Sequence, residues 1–342
     1  MWQPQITSLH RRLKAAGWVI LLIMLSLPDH ARGREDIAPS KQTDHKLGHV
    51  LVGQIWDVAT QRFMSADDFY ARLAHADFVL LGEIHTNRDH HRLQRRVIER
   101  MVAQGRRPAV VFEMFERANQ PTIERVRNHH PNDADRLAHE THMEARGWPW
   151  RLYKPLIKTV LTDNLPMFGA DLSRSTIRKI MAEGLEALDA QRIKSLALNE
   201  PLAPRDIAIM RTEIITAHCG NAPERLIDGM IAAQRARDAS LADGLIEHAN
   251  RNGAVLIAGS GHVRNDYATP AYLHRRAPDK AVLSVAFTEI VDDKREPQDY
   301  LPATSTHAPV FDYLWFTPRA GGQNPCAQFK KHLRTLHRAA SR

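Results

Sequence analysis

Cysteine is nearly absent from this chain: Cys219 and Cys326 are the only two in 342 residues. No Cys-x-x-Cys pair exists, which excludes zinc ribbons and thioredoxin-type redox motifs. An exported compartment would permit a bridge between the two, and their spacing leaves the pairing open. Aromatic residues make up only 6% of the chain, and the basic residues are scattered rather than interleaved with them. A nucleic-acid surface is therefore not expected. There is no Gly-x-Gly-x-x-Gly or Walker loop, no Gly-x-Ser-x-Gly elbow and no His-Glu-x-x-His. These absences argue against nucleotide binding, the α/β-hydrolase nucleophile and the local metalloprotease signature. No internal repeat is visible.

What remains is ordinary for a globular chain, with 43% hydrophobic and 25% charged residues. The net charge is +8, part of it in the N-terminal segment. There Arg11-Arg12-Leu13-Lys14 precede an apolar stretch from Gly17 to Leu27. That stretch is well short of the roughly 20 residues a spanning helix needs and matches a signal-peptide core. Residues 1–33 are read as a signal peptide and 34–46 as a linker. A domain over 47–320 and a basic tail over 321–342 follow. No cysteine adjoins the leader, so a lipoprotein anchor is not expected. The chain is expected to be periplasmic or secreted, with an uncleaved membrane anchor as the alternative.

Two Gly-x-x-His tetrads dominate the rest. Gly82-Glu83-Ile84-His85 closes the apolar run Phe78–Leu81, and Gly259-Ser260-Gly261-His262 closes Ala254–Ala258. Each sets a histidine just past the carboxyl end of a buried strand, the edge where open α/β sheets bind ligands. Further strands are expected at Pro108–Met114, ending near Glu113, at Leu165–Ala170 and at Ala281–Phe287. A small N-terminal hairpin is expected around His49–Trp56. Between the strands lie helices, at Ser65–His75, Asn87–Gln104, Tyr153–Thr162 and Glu224–Asn250 among others. The tail from about Asp292 reads as irregular. Residues 118–150 read as an insertion over the sheet edge. The expected fold is α/β, one domain with a mostly parallel sheet, helices on both faces and helical insertions.

Glu83, His85, Glu113 and His262 would form a first shell for a divalent cation. Without metal, glutamate plus histidine is a base pair able to activate water. In that case Glu83, His85 and His262 are the catalytic candidates. Trp148, Trp150 and Tyr153 either cover core or supply a flat surface suited to haem. His90 and His91, in the first turn after the first tetrad, are candidates to face the pocket.

The stretch Val79–Gln94 (VLLGEIHTNRDHHRLQ) resembles the opening motif of the ChaN-like haem-binding uptake family. Its superfamily also holds Tiki metalloproteases, TraB-type proteins and erythromycin esterases. Further matches are Val111–Phe115, Gly169–Arg174, Ala233-Gln234 with Arg237-Asp238, and Ala258–Pro270. Asp171, Ser260 and Tyr267-Ala268-Thr269 depart from the usual residues. The resemblance implies a haem-binding component of iron uptake, with a hydrolase of an ester or peptide as the alternative. It also implies Tyr153 as an iron ligand, Tyr267 as the second choice, and Arg174, His90 and His91 near the cofactor. Gln234, Arg237 and Asp238 would orient the histidines. A homodimer and outer-membrane uptake machinery are the partners considered.

Overall fold

The computed structural model describes residues 48–304, 309–321 and 326. The leader, the linker and most of the basic tail lie outside the described residues. In chain order the elements are β1 (Ile55–Asp57), β2 (Arg62–Met64), α1 (Ala66–Leu73), β3 (Phe78–Glu83), α2 (Arg88–Ala103) and β4 (Ala109–Glu116). Then come α3 (Gln120–His129), α4 (Ala134–Glu140), α5 (Trp150–Thr162), β5 (Met167–Asp171), α6 (Arg174–Glu183) and α7 (Ala190–Ser195). The remainder is α8 (Pro204–Ala217), α9 (Glu224–His248), β6 (Ala254–Gly259), α10 (Thr269–Arg276), β7 (Val282–Glu289) and β8 (Tyr313–Thr317).

One eight-stranded sheet in the order β2-β1-β8-β7-β3-β6-β4-β5 organises the molecule, parallel except where β1 pairs β2 and β8. The near-continuous apolar strands reflect burial on both faces, as parallel sheets require. Val79 and Leu81 of β3 join a cluster with α1, α2 and α5, whereas Phe78 and Leu80 join one with α6, α9 and α10. Helix starts follow local chemistry. Ser65 caps α1 by accepting the Asp68 N–H, and Asn87 caps α2 by accepting those of Asp89 and His90.

Two expectations change. The tail is not wholly irregular, because Tyr313–Thr317 is a fully buried strand between β7 and β1. Buried on both faces, this short run lacks the alternation that reveals a half-exposed strand. The insertion is not merely a cover either. Ile123, Val126, Leu137, Met143, Trp148 and Trp150 all enter the core beside α5. Its apolar residues form a narrow stripe among many charges, which reads as polar on average.

A disulfide joins Cys219, just after α8, to Cys326. The bridge closes a loop with a sequence separation of 107, so most of its effect falls on the unfolded chain. Reduction, or Cys219→Ser with Cys326→Ser, is expected to cost at least ~2 kcal/mol in urea unfolding. Equal midpoints for oxidised and reduced protein would contradict this. Among the described residues no helix is long and apolar enough to cross a membrane.

Candidate functional site

Strand register assembles the site. Between β3 and β6, Glu83 pairs in register with Gly259, and β4 runs along the other side of β6. β6 thus separates β3 from β4, which are consecutive in the chain, and their carboxyl ends open a crevice of the kind where α/β sheets bind ligands.

On the β3 side, Glu83 is fully enclosed. Its Oε1 accepts from the Tyr153 hydroxyl and from His85 Nδ1 at 2.9 Å. His91 Nδ1 stands 2.9 Å from Oε2, a charge contact off the hydrogen-bonding direction, while His91 Nε2 donates to the His85 carbonyl at 2.9 Å. Burial pushes the Glu83 carboxyl up, but the adjacent His91 and His85 rings prevail and hold it at about 2. Against the pull of burial, Glu83 raises both histidines. Burial and then the Glu83 charge push the Tyr153 phenol well above its ordinary value. The Glu83 bond fixes the His85 tautomer, leaving Nε2 with no hydrogen bond on a side chain that is 39% exposed. Trp148 meets the His85 ring edge-on at 4.9 Å between centroids.

On the β4 side, Glu113 Oε2 accepts the Gly259 N–H at 2.7 Å and Oε1 accepts Arg237 Nη2 at 2.7 Å. Arg237 also grips both oxygens of Asp171 at 2.9 Å. His262 Nδ1 bonds Asp238 at 2.6 Å, with the Gln234 amide 3.0 Å from the same nitrogen. His262 Nε2 lies 3.4 Å from Glu113. Burial opposes charging of His262, but Glu113 and then Asp238 carry it up to about 9, so it is a cation at neutral pH. Burial raises Glu113, yet the His262 and Arg237 charges hold it well below its ordinary value.

Gly259 joins the halves. A Cβ there would lie 3.0 Å from His85 Cε1, 3.2 Å from its Nε2 and 3.7 Å from Glu113 Oε2. Gly259→Ala should therefore displace the His85 ring and cost about 1–3 kcal/mol. An unchanged urea midpoint would refute that.

The four residues Glu83, His85, Glu113 and His262 thus meet at one edge, with Gln234 and Asp238 on His262 and Arg237 on Glu113. The divalent-metal expectation gains no support. Among the described residues no three His, Cys, Asp or Glu side chains are placed to hold an ion. The donors are engaged within the protein: His262 Nδ1 bonds Asp238, and both glutamates are held by hydrogen bonds and charge. His90 is a buried structural residue, its Nδ1 accepting the Ile84 N–H and its Nε2 bonded to Thr317. Burial drives it down to about 3, so it stays neutral. His91 and Tyr153 line Glu83 rather than a surface. Tyr267 sits in a separate apolar cluster, its hydroxyl on Glu213 and its ring under Arg264. The Arg174 N–H reaches Glu116, and its guanidinium reaches the Arg146 carbonyl. Asp171 enters the sequence reading only as a departure from a motif, yet it anchors Arg237. Its signal was position: like Glu83 and Glu113, it is an acid at the carboxyl end of a core strand.

Residues 69–273 match the model of a family described as haem-binding uptake, Tiki superfamily, ChaN. Among solved structures, ChaN of Campylobacter jejuni, described with cofacial haem binding, aligns with a TM-score of 0.59 and 22% identity. The alignment covers 76% of this chain and 95% of that one, a likeness of fold. The type III effector HopBA1 aligns at 0.41 with 12% identity, over 74% and 93% of the two chains. An erythromycin esterase in its open conformation aligns at 0.38 with 14% identity, over 65% and 72%. A comparison with curated proteins finds no match.

Proposed function

The chain belongs to the ChaN family of haem-binding uptake proteins in the Tiki superfamily, and on that premise we propose that it binds haem for iron uptake after export. One observation carries the site assignment. Of the four histidines at this edge, only His85 combines an exposed ring with a nitrogen free of hydrogen bonds. His90, His91 and His262 have both nitrogens occupied by partners or charge contacts.

The residues fit a haem group in their donor chemistry. An imidazole whose Nδ1–H is held by a carboxylate is a well-oriented iron donor once its Nε2 is unprotonated. Gly259 keeps side-chain bulk away from that nitrogen, and Trp148 supplies an aromatic wall. Haem would supply iron for His85 to ligate; Glu83, Tyr153 and His91 would hold the donor in place. The Cys219–Cys326 bridge supports an oxidising, exported location. A homodimer and outer-membrane uptake machinery remain part of this reading.

A second reading is a Glu/His-dependent hydrolase of an ester or peptide, favoured by the same dyad. Glu83 orients His85 as a base, and the His262 cation stands ready for developing negative charge. Haemin titration separates the two. A Soret shift that saturates supports haem binding. No shift, together with ester hydrolysis lost in Glu83→Gln, supports the hydrolase.

A further inference from the structure

Charge is unevenly placed on this fold. Over the described residues arginines and lysines equal acids in number, so this part of the chain carries no net charge. Yet α2 and α5 together hold eight arginines and lysines against two acids, Asp89 and Glu99. The two helices lie side by side on one face of the sheet. Their apolar sides share a single cluster, and His91 of α2 meets Tyr153 of α5 at 4.3 Å between rings. Their outward sides therefore form one basic surface. Arg88, Arg92, Arg96 and Arg100 follow at four-residue spacing along α2, about 18 Å of helix. Arg151 and Lys158 stand on the outer side of α5. Arg92 and Arg95 have acids of their own helix at 3.1 and 3.4 Å, and Lys154 has Asp135 at 2.6 Å. Arg88, Arg96, Arg151 and Lys158 are exposed and have no hydrogen bond or ion pair among the described residues.

Like charges four residues apart on a helix repel, and the α2 row makes three such pairs in succession. The row therefore works against the isolated domain and is relieved when an anionic surface lies over it. Guanidinium forks match phosphate oxygens two at a time, and two adjacent helices present a broad face rather than a cleft. That face offers no exposed aromatic ring, since Trp150 and Tyr153 are buried, so it lacks the stacking platforms single-stranded nucleic acid uses. We propose that the α2–α5 face docks on an anionic phospholipid bilayer, with Arg88, Arg96, Arg151 and Lys158 as the headgroup contacts. This goes beyond the haem reading and does not depend on it. Both helices begin at the carboxyl edge of the sheet, where Asn87 caps α2 and Tyr153, in the first turn of α5, bonds Glu83. Arg88 and Arg151 are thus the cations of their helices nearest the His85 mouth, and docking sets that mouth beside the headgroups.

The test is co-sedimentation of the full chain with vesicles of phosphatidylcholine alone and of phosphatidylcholine with phosphatidylglycerol. The readout is the excess bound to the anionic vesicles. Wild type should show that excess, and added sodium chloride should remove it. The quadruple variant Arg88→Glu/Arg96→Glu/Arg151→Glu/Lys158→Glu should lower the affinity for anionic vesicles about tenfold or more. Its four sites are exposed, and Arg88 and Arg151 lie in first turns, where an acid is favoured, so far-UV circular dichroism should match wild type. If it does not, the same four residues changed to Gln repeat the measurement. Reversal of Lys330, Lys331 and Arg334 to Glu controls for the basic tail and should leave most of the excess. No excess in wild type, an excess that the quadruple variant retains, or one that the tail variant abolishes overturns the proposal. Capture of poly-L-glutamate by wild type, with no excess on anionic vesicles, overturns the bilayer and gives the face to an acidic polypeptide.

Discussion

Arg237→Met should lower stability by about 3–5 kcal/mol in urea unfolding at neutral pH, among the largest effects available to a single change here. Arg237 is the cation between Glu113 and Asp171, both buried to within a few per cent of full enclosure. Methionine keeps much of the volume and removes the charge, leaving two buried carboxylates without the guanidinium they share and only His262, 3.4 Å from Glu113, as a counter-charge. The pH dependence checks the cause. In the wild type the Glu113 carboxyl is held well below its ordinary value, so its contribution is present above the unfolded value. That contribution is lost only as pH falls through the lowered folded value. Without Arg237 one of the two lowering charges is gone, so burial moves the Glu113 carboxyl back toward its ordinary value while the His262 cation still opposes it. The variant then loses its carboxylate charge at a higher pH than wild type does, so the gap should narrow as pH falls through the ordinary carboxylate range toward the lowered wild-type value. A difference under about 1 kcal/mol, or one that widens on acidification, would show that the ion pairs are not what holds this edge.

Much of this edge is legible from residues alone, because its chemistry sits in short motifs. Glycine followed by histidine after an apolar run marks a strand end, and both tetrads lie where that logic puts them. The helices show as well, since Ser65 and Asn87 announce their own starts. Strand order does not show. The placing of β6 between β3 and β4 is a pairing across the whole chain that leaves no local trace, yet it sets Gly259 against both His85 and Glu113. β8 is hidden for a related reason. Tyr313 and Trp315 are buried in the cluster on one face and Leu314 and Phe316 in that on the other, so its residues show no period of their own. Tyr153 is the instructive case. A tyrosine after two tryptophans looks like a ligand platform, but its hydroxyl, on helix α5, is claimed by Glu83 at the end of β3. Only the assembled fold reveals that the ring is fully buried.

His85→Ala and Tyr153→Phe should therefore part company when haemin is added, and the contrast decides which residue meets iron. Ligation by tyrosine needs an ionised or ionisable phenol with access to the metal. Here the phenol is driven well above its ordinary value by burial and by Glu83, and its oxygen faces that carboxylate. Tyr153→Phe removes one donor to Glu83 and loosens the dyad, so affinity should fall by less than about tenfold while the ligand-dependent visible bands stay in place. His85→Ala removes the open nitrogen itself. Its affinity should drop by about 100-fold or more, beyond the tenfold to hundredfold range seen when only an orienting partner is lost. The bands should change, and imidazole added to the solution should restore them. Glu83→Gln belongs between the two: the amide keeps the shape but not the charge that holds the His85 tautomer. A phenolate-type charge-transfer band that disappears in Tyr153→Phe and persists in His85→Ala would reverse the assignment. Glu83 would then have to release the Tyr153 hydroxyl, and the ring would have to leave the core cluster it shares with Trp148 before iron could reach it.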